Sequence, residues 1–131
     1  MSFADKVAII TGAGGGLGRE HALLLAEAGA RVVVNDLGGS VDGSGQGDAA
    51  DTVVEEIRAA GGEAVANKDS VSDRDGARRI VETAVKEYGT VDILINNAAI
   101  DPKVEQKSGK NLSRLENFSI DQWNLELGVG L

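Results

Sequence analysis

At 131 residues, with 42% hydrophobic and 26% charged side chains, the chain has the make-up of a single globular domain over residues 1–131. Thirteen basic and twenty-one acidic residues give a net charge of −8, and no basic cluster could track phosphodiesters, which argues against nucleic acid as a partner. The absence of cysteine excludes disulfides and thiolate metal sites, and no other metal ligand set is expected. The first apolar run, residues 7–10, is far too short for a leader or a membrane span, so a cytoplasmic location and no membrane partner are expected.

In chain order, residues 6–11 form a β-branched apolar run ended by glycines. Residues 31–36 form another, with Val32, Val33 and Val34 consecutive as in a strand buried on both faces. Between them residues 19–28 are rich in Ala, Leu and Glu and stop at Gly29, which predicts a helix with a glycine just past its end. Residues 38–47, GGSVDGSGQG, read as a flexible loop by composition. The spacing of Val53, Val54 and Ile57 predicts an amphipathic helix over residues 48–60 ended by Gly61 and Gly62, and residues 63–67 alternate like a strand. Ser72 can cap a helix over residues 73–88 closed by Gly89, and residues 91–96 make a fourth strand.

This alternation predicts a Rossmann-type, doubly wound α/β fold, with about four parallel strands in the order 3-2-1-4 joined by crossover helices. Beyond it, residues 100–118 read as a long polar connection containing the only proline, Pro102. Ser119-Ile120-Asp121-Gln122 has the form of a capping box opening a helix with Trp123, Leu125 and Leu127. A sheet that stops at its fourth strand leaves an open edge, and that helix needs a surface to bury against. The expected sheet is therefore incomplete, and the chain reads as the truncated, N-terminal part of a longer domain.

The chemistry gathers where the first strand hands over to the first helix. Residues 11–18, TGAGGGLG, bring free backbone N–H groups and the positive end of a helix to one spot, where a pyrophosphate fits. Gly12 lets the chain turn sharply, glycines 14 to 16 let anionic oxygens reach the backbone, and Gly18 allows the helix to pack closely on the strand. A glycine-rich turn without a ligand is the plainer alternative, weakened by the strand, turn and helix around it. Asp36, at the end of the second strand, is placed to accept hydrogen bonds from the ribose hydroxyls of adenosine. With no Lys or Arg among residues 12–18 to pair with a 2′-phosphate, the expected cofactor is NAD. A carboxylate that merely solvates a strand end is the alternative for Asp36.

Thr-Gly-x-x-x-Gly-x-Gly at residues 11–18, Asp69-Ser70-Val71 after the third strand and Asn96-Asn97-Ala98-Ala99 after the fourth, in that order, resemble the short-chain dehydrogenase/reductase family. Residues 1–99 are similar in particular to the (3R)-hydroxyacyl-CoA dehydrogenase part of peroxisomal multifunctional enzymes of type 2. That similarity runs through NDLGG at 35–39 with its glycine loop, VVEEIRAAGG at 53–62 and AVANKDSV at 64–71. The resemblance implies an NAD-dependent oxidoreductase that interconverts a secondary alcohol and a ketone, with a small-molecule substrate, 3-hydroxyacyl-CoA as its narrower class, and a dimer or tetramer of the intact protein. It implies a cofactor site made of Gly12, Gly15, Gly16, Leu17, Gly18 and Asp36. Asp69 would accept from the adenine amino group, the backbone near Ser70 and Val71 would touch the ring, and Asn97, Ala98 and Ala99 would line the ribose. Asn96 would brace the central sheet. Ala99 departs from the family's usual glycine, and its methyl would crowd the cofactor slightly.

The family's catalytic Ser and Tyr-x-x-x-Lys are not found: Tyr88 is the only tyrosine, and residue 92 is Asp. No catalytic residue is assigned, Tyr88 reads as an aromatic packing at a helix end, and the chain alone is expected to be inactive. Gly130 stands where the family has Asn, or His in the hydroxyacyl-CoA group. His21 reads as a solvated helix position and the charges of residues 103–114 as a solvated loop. The alternative function is a non-catalytic dinucleotide-binding module used in sensing or assembly. A methyltransferase using S-adenosylmethionine is disfavoured by Thr11-Gly12 and Asn96-Asn97, and a phosphate-loop NTPase by the lack of Gly-Lys-Ser/Thr.

Overall fold

Strand and helix alternate through the computed structural model, which describes residues 2–38 and 47–99. In chain order the elements are β1 (Val7–Ile10), α1 (Gly16–Glu27), β2 (Arg31–Asn35), α2 (Ala49–Ala59), β3 (Glu63–Asn67), α3 (Arg74–Tyr88) and β4 (Ile93–Ile95). All strand pairs are parallel, in the order β3-β2-β1-β4, as the sequence predicts. Residues up to Ala98 belong to one compact unit. The capping box at Ser119 and Gly130 lie outside the described residues, as do residues 39–46 of the expected loop. No described helix is long and apolar enough to cross a membrane.

The sheet has two apolar faces, and the period-2 geometry of a strand assigns them. Ala8, Ile10, Val32, Val34 and Ala64 meet α1 and α2 through Ala22, Ala26, Val53, Val54 and Ile57. Val7, Ile9 and Val33 meet α3 through Ile80 and Ala84, with Tyr88 packed against them. The consecutive valines of β2 follow from this: a strand covered on both sides has no polar position to spare. Full burial of an Ile or Val side chain contributes about 1.5–3 kcal/mol, so β1 and β2, with no exposed side chain between Val7–Ile10 and 32–34, anchor the fold.

Helix ends follow from local chemistry. α3 starts where the Asp73 carboxylate accepts from Gly76 N at 3.1 Å, and it stops at Gly89, whose φ of 86° suits a residue without Cβ. The cap is Asp73 and not the expected Ser72, whose hydroxyl instead meets that of Ser70 at 2.8 Å. α1 begins at Gly16, three residues before the composition suggested. Its glycines cost helix propensity, but the first turn is held from outside by the packing of Gly18 against Gly12, in the turn after β1, and Asn97. β4 is shorter than residues 91–96 because Asp92 turns its carboxylate to cap β1, accepting from Val7 N at 2.9 Å. Gly38 and Gly47 touch backbone to backbone, so both ends of the expected loop meet beside the end of β2.

Candidate nucleotide-binding site

Parallel strands direct all their C-terminal ends to one edge of the sheet, and the sequence motifs meet there. Thr11, only 4% exposed, accepts at Oγ1 from both Asn97 N and Ala98 N at 3.1 Å, tying the end of β1 to the chain leaving β4. Asn97 Nδ2 donates to Gly12 O at 3.2 Å. Gly12 turns with φ of 64°, and a Cβ on it would lie 3.0 Å from Ala98 Cα. A Cβ on Gly18 would collide with Gly12 O and sit 2.6 Å from Asn97 Nδ2. Thr11, Gly12, Gly18, Asn97 and Ala98 thus form one packed knot. Among the described residues the bracing amide is Asn97 and not Asn96, which is exposed.

The remaining glycines divide into two kinds. Gly14 is closed off: a Cβ there would meet Asp36 Cγ and Ala49 Cβ, both at 2.7 Å. At Gly15 and Gly16 nothing among the described residues lies within 4 Å of such a Cβ, and Leu17 is 71% exposed. Gly15 is the N-cap of α1, no side chain caps the helix and no acidic residue occupies its first turn. Among the described residues the helix head is therefore exposed and without a side-chain cap at its positive end, the arrangement that attracts an anion. The nearest cation in sequence, Arg19, is committed to Glu56 and Glu20, and these contacts raise its pKa, Glu56 foremost.

Asp36 sits at the side of this opening. One carboxylate oxygen accepts from Gly14 N at 2.9 Å and the other from Gly38 N at 2.8 Å. Among the described residues each oxygen has one donor, which leaves it a second lone pair. Its own N–H continues to Asn67 O at 3.0 Å, which joins the Asp36 corner to the turn after β3. In that turn Asp69 accepts from Arg79 Nε at 2.7 Å and from Asn67 Nδ2 at 2.9 Å. The Arg79 contact is the first cause that holds its carboxyl below the usual range. Ser70 is half-buried, with its carbonyl hard against Gly76, and Ala99 is exposed.

Two buried amides in this region escape a motif-based reading. Asn35 and Asn67 are direct partners in the β2–β3 register, and Asn35 Nδ2 reaches Asn67 Oδ1 and Asp69 O, each at 2.9 Å. The signal for them is an Asn at the end of each strand on a face that is otherwise apolar, where an amide must find partners. Tyr88 does not enter the site: Arg31 lies 5.5 Å from its ring centroid, and burial pushes its phenol up, the wrong direction for a general base. A cleft of about 520 Å³ lined by Leu23, Ala26, Ile57 and Gly62 lies at the C-terminal ends of α1 and α2, the opposite edge of the sheet.

A profile of the short chain dehydrogenase family matches residues 6–125, so the chain belongs to that family of oxidoreductases. A peroxisomal hydratase-dehydrogenase-epimerase of Saccharomyces cerevisiae is 60% identical over 101 residues, 76% of this chain and 11% of that protein. A cyclohexanol dehydrogenase of an Acinetobacter species is 39% identical over 129 residues, 98% of this chain and 45% of that protein. The crystal structure of a short chain dehydrogenase from Mycobacterium avium superposes with a TM-score of 0.77 at 44% identity, over 98% of this chain and 43% of that one. The chain spans less than half the length of each. The expected cytoplasmic location is overturned here: the yeast relative and counterparts in other eukaryotes are peroxisomal by name, and a short apolar N-terminal run carries no information about import into an organelle.

Proposed function

We propose that this chain is the cofactor-binding half of an NAD-dependent oxidoreductase that interconverts a secondary alcohol and a ketone, with a 3-hydroxyacyl-CoA as its substrate class. The observation that carries this reading is the open backbone at Gly15 and Gly16, at an uncapped helix head beside an anchored Asp36. In this reading the amides at Gly15, Gly16 and Leu17 hold the pyrophosphate, while Gly12 and Gly18 shape the turn without touching it. Asp36 takes the adenosine ribose on its remaining lone pairs, Asp69 and Ser70 take the adenine, and Asn97, Ala98 and Ala99 line the other ribose. A bound nicotinamide supplies or accepts the hydride. The secondary alcohol is supported by the relative named cyclohexanol dehydrogenase, and a peroxisomal location by the yeast relative. The hydroxyacyl-CoA class rests on the similarity of residues 1–99.

Asp36 gives the test. Its carboxylate favours a ribose with free hydroxyls and repels a 2′-phosphate. In Asp36→Ala, titrated with NADH and NADPH, NADH affinity should fall on the order of tenfold, the worth of a hydrogen bond to a charged group, while NADPH holds or gains. An unchanged ratio between the two dinucleotides would sink the assignment.

A further inference from the structure

The turn after β3 is built more firmly than a connection requires. Asn35 and Asn67 are 2% and 7% exposed, on the sheet face that otherwise presents Val7, Ile9, Val33 and Val65 to α3. Every hydrogen-bonding position of Asn67 is used. Its Oδ1 accepts from Asn35 Nδ2 and from Asp69 N at 2.9 Å, and its Nδ2 donates to Asp69 Oδ2 at 2.9 Å and to Thr83 Oγ1 at 3.0 Å. The Thr83 hydroxyl donates in turn to Arg79 O at 2.8 Å, and Arg79 Nε closes the circuit on Asp69 Oδ1 at 2.7 Å. Asp73 lies 3.8 Å from Arg79 Nη2 and steadies the guanidinium from the head of α3.

We propose that Arg79 and Asn67 are positioning residues that orient the Asp69 carboxylate toward the 6-amino group of adenine, so that base selectivity is set one layer behind the nucleotide. This rests on Asp69 meeting the adenine in the proposed site. Asp69 is 26% exposed on its side chain, and among the described residues each of its oxygens accepts one donor from behind, leaving one lone pair on each for a ligand. Held at both oxygens, the carboxylate has lost its rotational freedom before the base arrives, and binding then costs less ordering. The Arg79 contact is also the first cause that holds the Asp69 carboxyl below the usual carboxylate range. Remove Arg79, and Asp69 is held on one side only.

The experiment titrates the full chain with NADH and with reduced nicotinamide hypoxanthine dinucleotide, in which a carbonyl acceptor replaces the 6-amino donor. The unsubstituted protein should prefer NADH on the order of tenfold, the worth of one hydrogen bond to a charged acceptor. Asp69→Asn should abolish the preference, because an amide can serve either base. Arg79→Gln should remove most of it by weakening NADH alone, and Arg79→Lys should restore a part. Arg79 is half-exposed, so its variants keep the fold, and Asn67→Ser tests the other oxygen. A preference lost in Asp69→Asn but intact in Arg79→Gln and Asn67→Ser overturns the positioning role and leaves the Asp69 reading standing. A preference untouched by Asp69→Asn, or no binding of NADH at all, overturns that reading and the inference with it.

Discussion

Gly18 and Gly15 lack side chains for opposite reasons, and the difference separates stability from binding. A methyl at Gly18 would enter space already held by Gly12 O and the Asn97 amide, so Gly18→Ala should destabilise by about 1–3 kcal/mol. Its gain in helix propensity, at most about 1 kcal/mol and less in a first turn, does not offset that. Gly15 has extended backbone, with φ of −171°, and an empty surround, so Gly15→Ala should leave stability within about 0.5 kcal/mol. Its methyl nevertheless stands where an anion would approach the helix head, and NADH affinity should drop several-fold. Urea melts and NADH titrations of the two variants should therefore move in complementary fashion. If Gly15→Ala binds NADH unimpaired, the pyrophosphate lies elsewhere. The sequence shows the glycine cluster, but not which glycines are occupied and which open, because that depends on where Asp36, Ala49 and Ala98 arrive from distant parts of the chain. Asn35 and Asn67 were equally silent: each is an ordinary strand-end polar residue until the parallel register places them opposite one another.

At the scale of elements, what was legible followed from chain-local physics. β3 and the end of α3 fall where the alternation over residues 63–67 and Gly89 put them, since a strand's period and a left-handed cap both depend on a few adjacent residues. The start of α3 was off by one residue, because Ser72 and Asp73 are both good caps and only backbone direction chooses between them. That choice is measurable. Asp73→Ala removes the acceptor of Gly76 N and should cost about 1 kcal/mol, whereas Ser72→Ala, whose hydroxyl reaches only Ser70 among the described residues, should cost less than about half of that. Equal losses in thermal melts would mean that Ser72 shares the cap. The start of α1 was not legible, since glycines read as helix breakers in isolation. Here the turn is held by packing against Gly12 and Asn97 and not by propensity.

Across the whole molecule, the strand order was accessible from the sequence because both faces of β2 are apolar and parallel strands demand crossovers. Electrostatics at this scale sets an unusual condition on the site. A net charge of −8 opposes an anionic dinucleotide at long range, while in the proposed site attraction comes from a helix end carrying about half an elementary charge that acts within its first turn. Lowering ionic strength from about 0.15 M to 0.01 M lengthens the Debye screening distance from about 8 Å to 30 Å. The long-range repulsion then reaches the approaching ligand, while the short-range contacts hardly change. NADH affinity is therefore expected to stay level or weaken as salt is removed, by up to about tenfold for a charge of −8 acting on a dianion. A phosphate site built on lysine or arginine would do the reverse, since its charge attraction is what salt screens. NADH titrations at the two salt concentrations decide the matter. Tightening of tenfold or more at low salt would mean that a basic side chain, and not the head of α1, supplies the attraction.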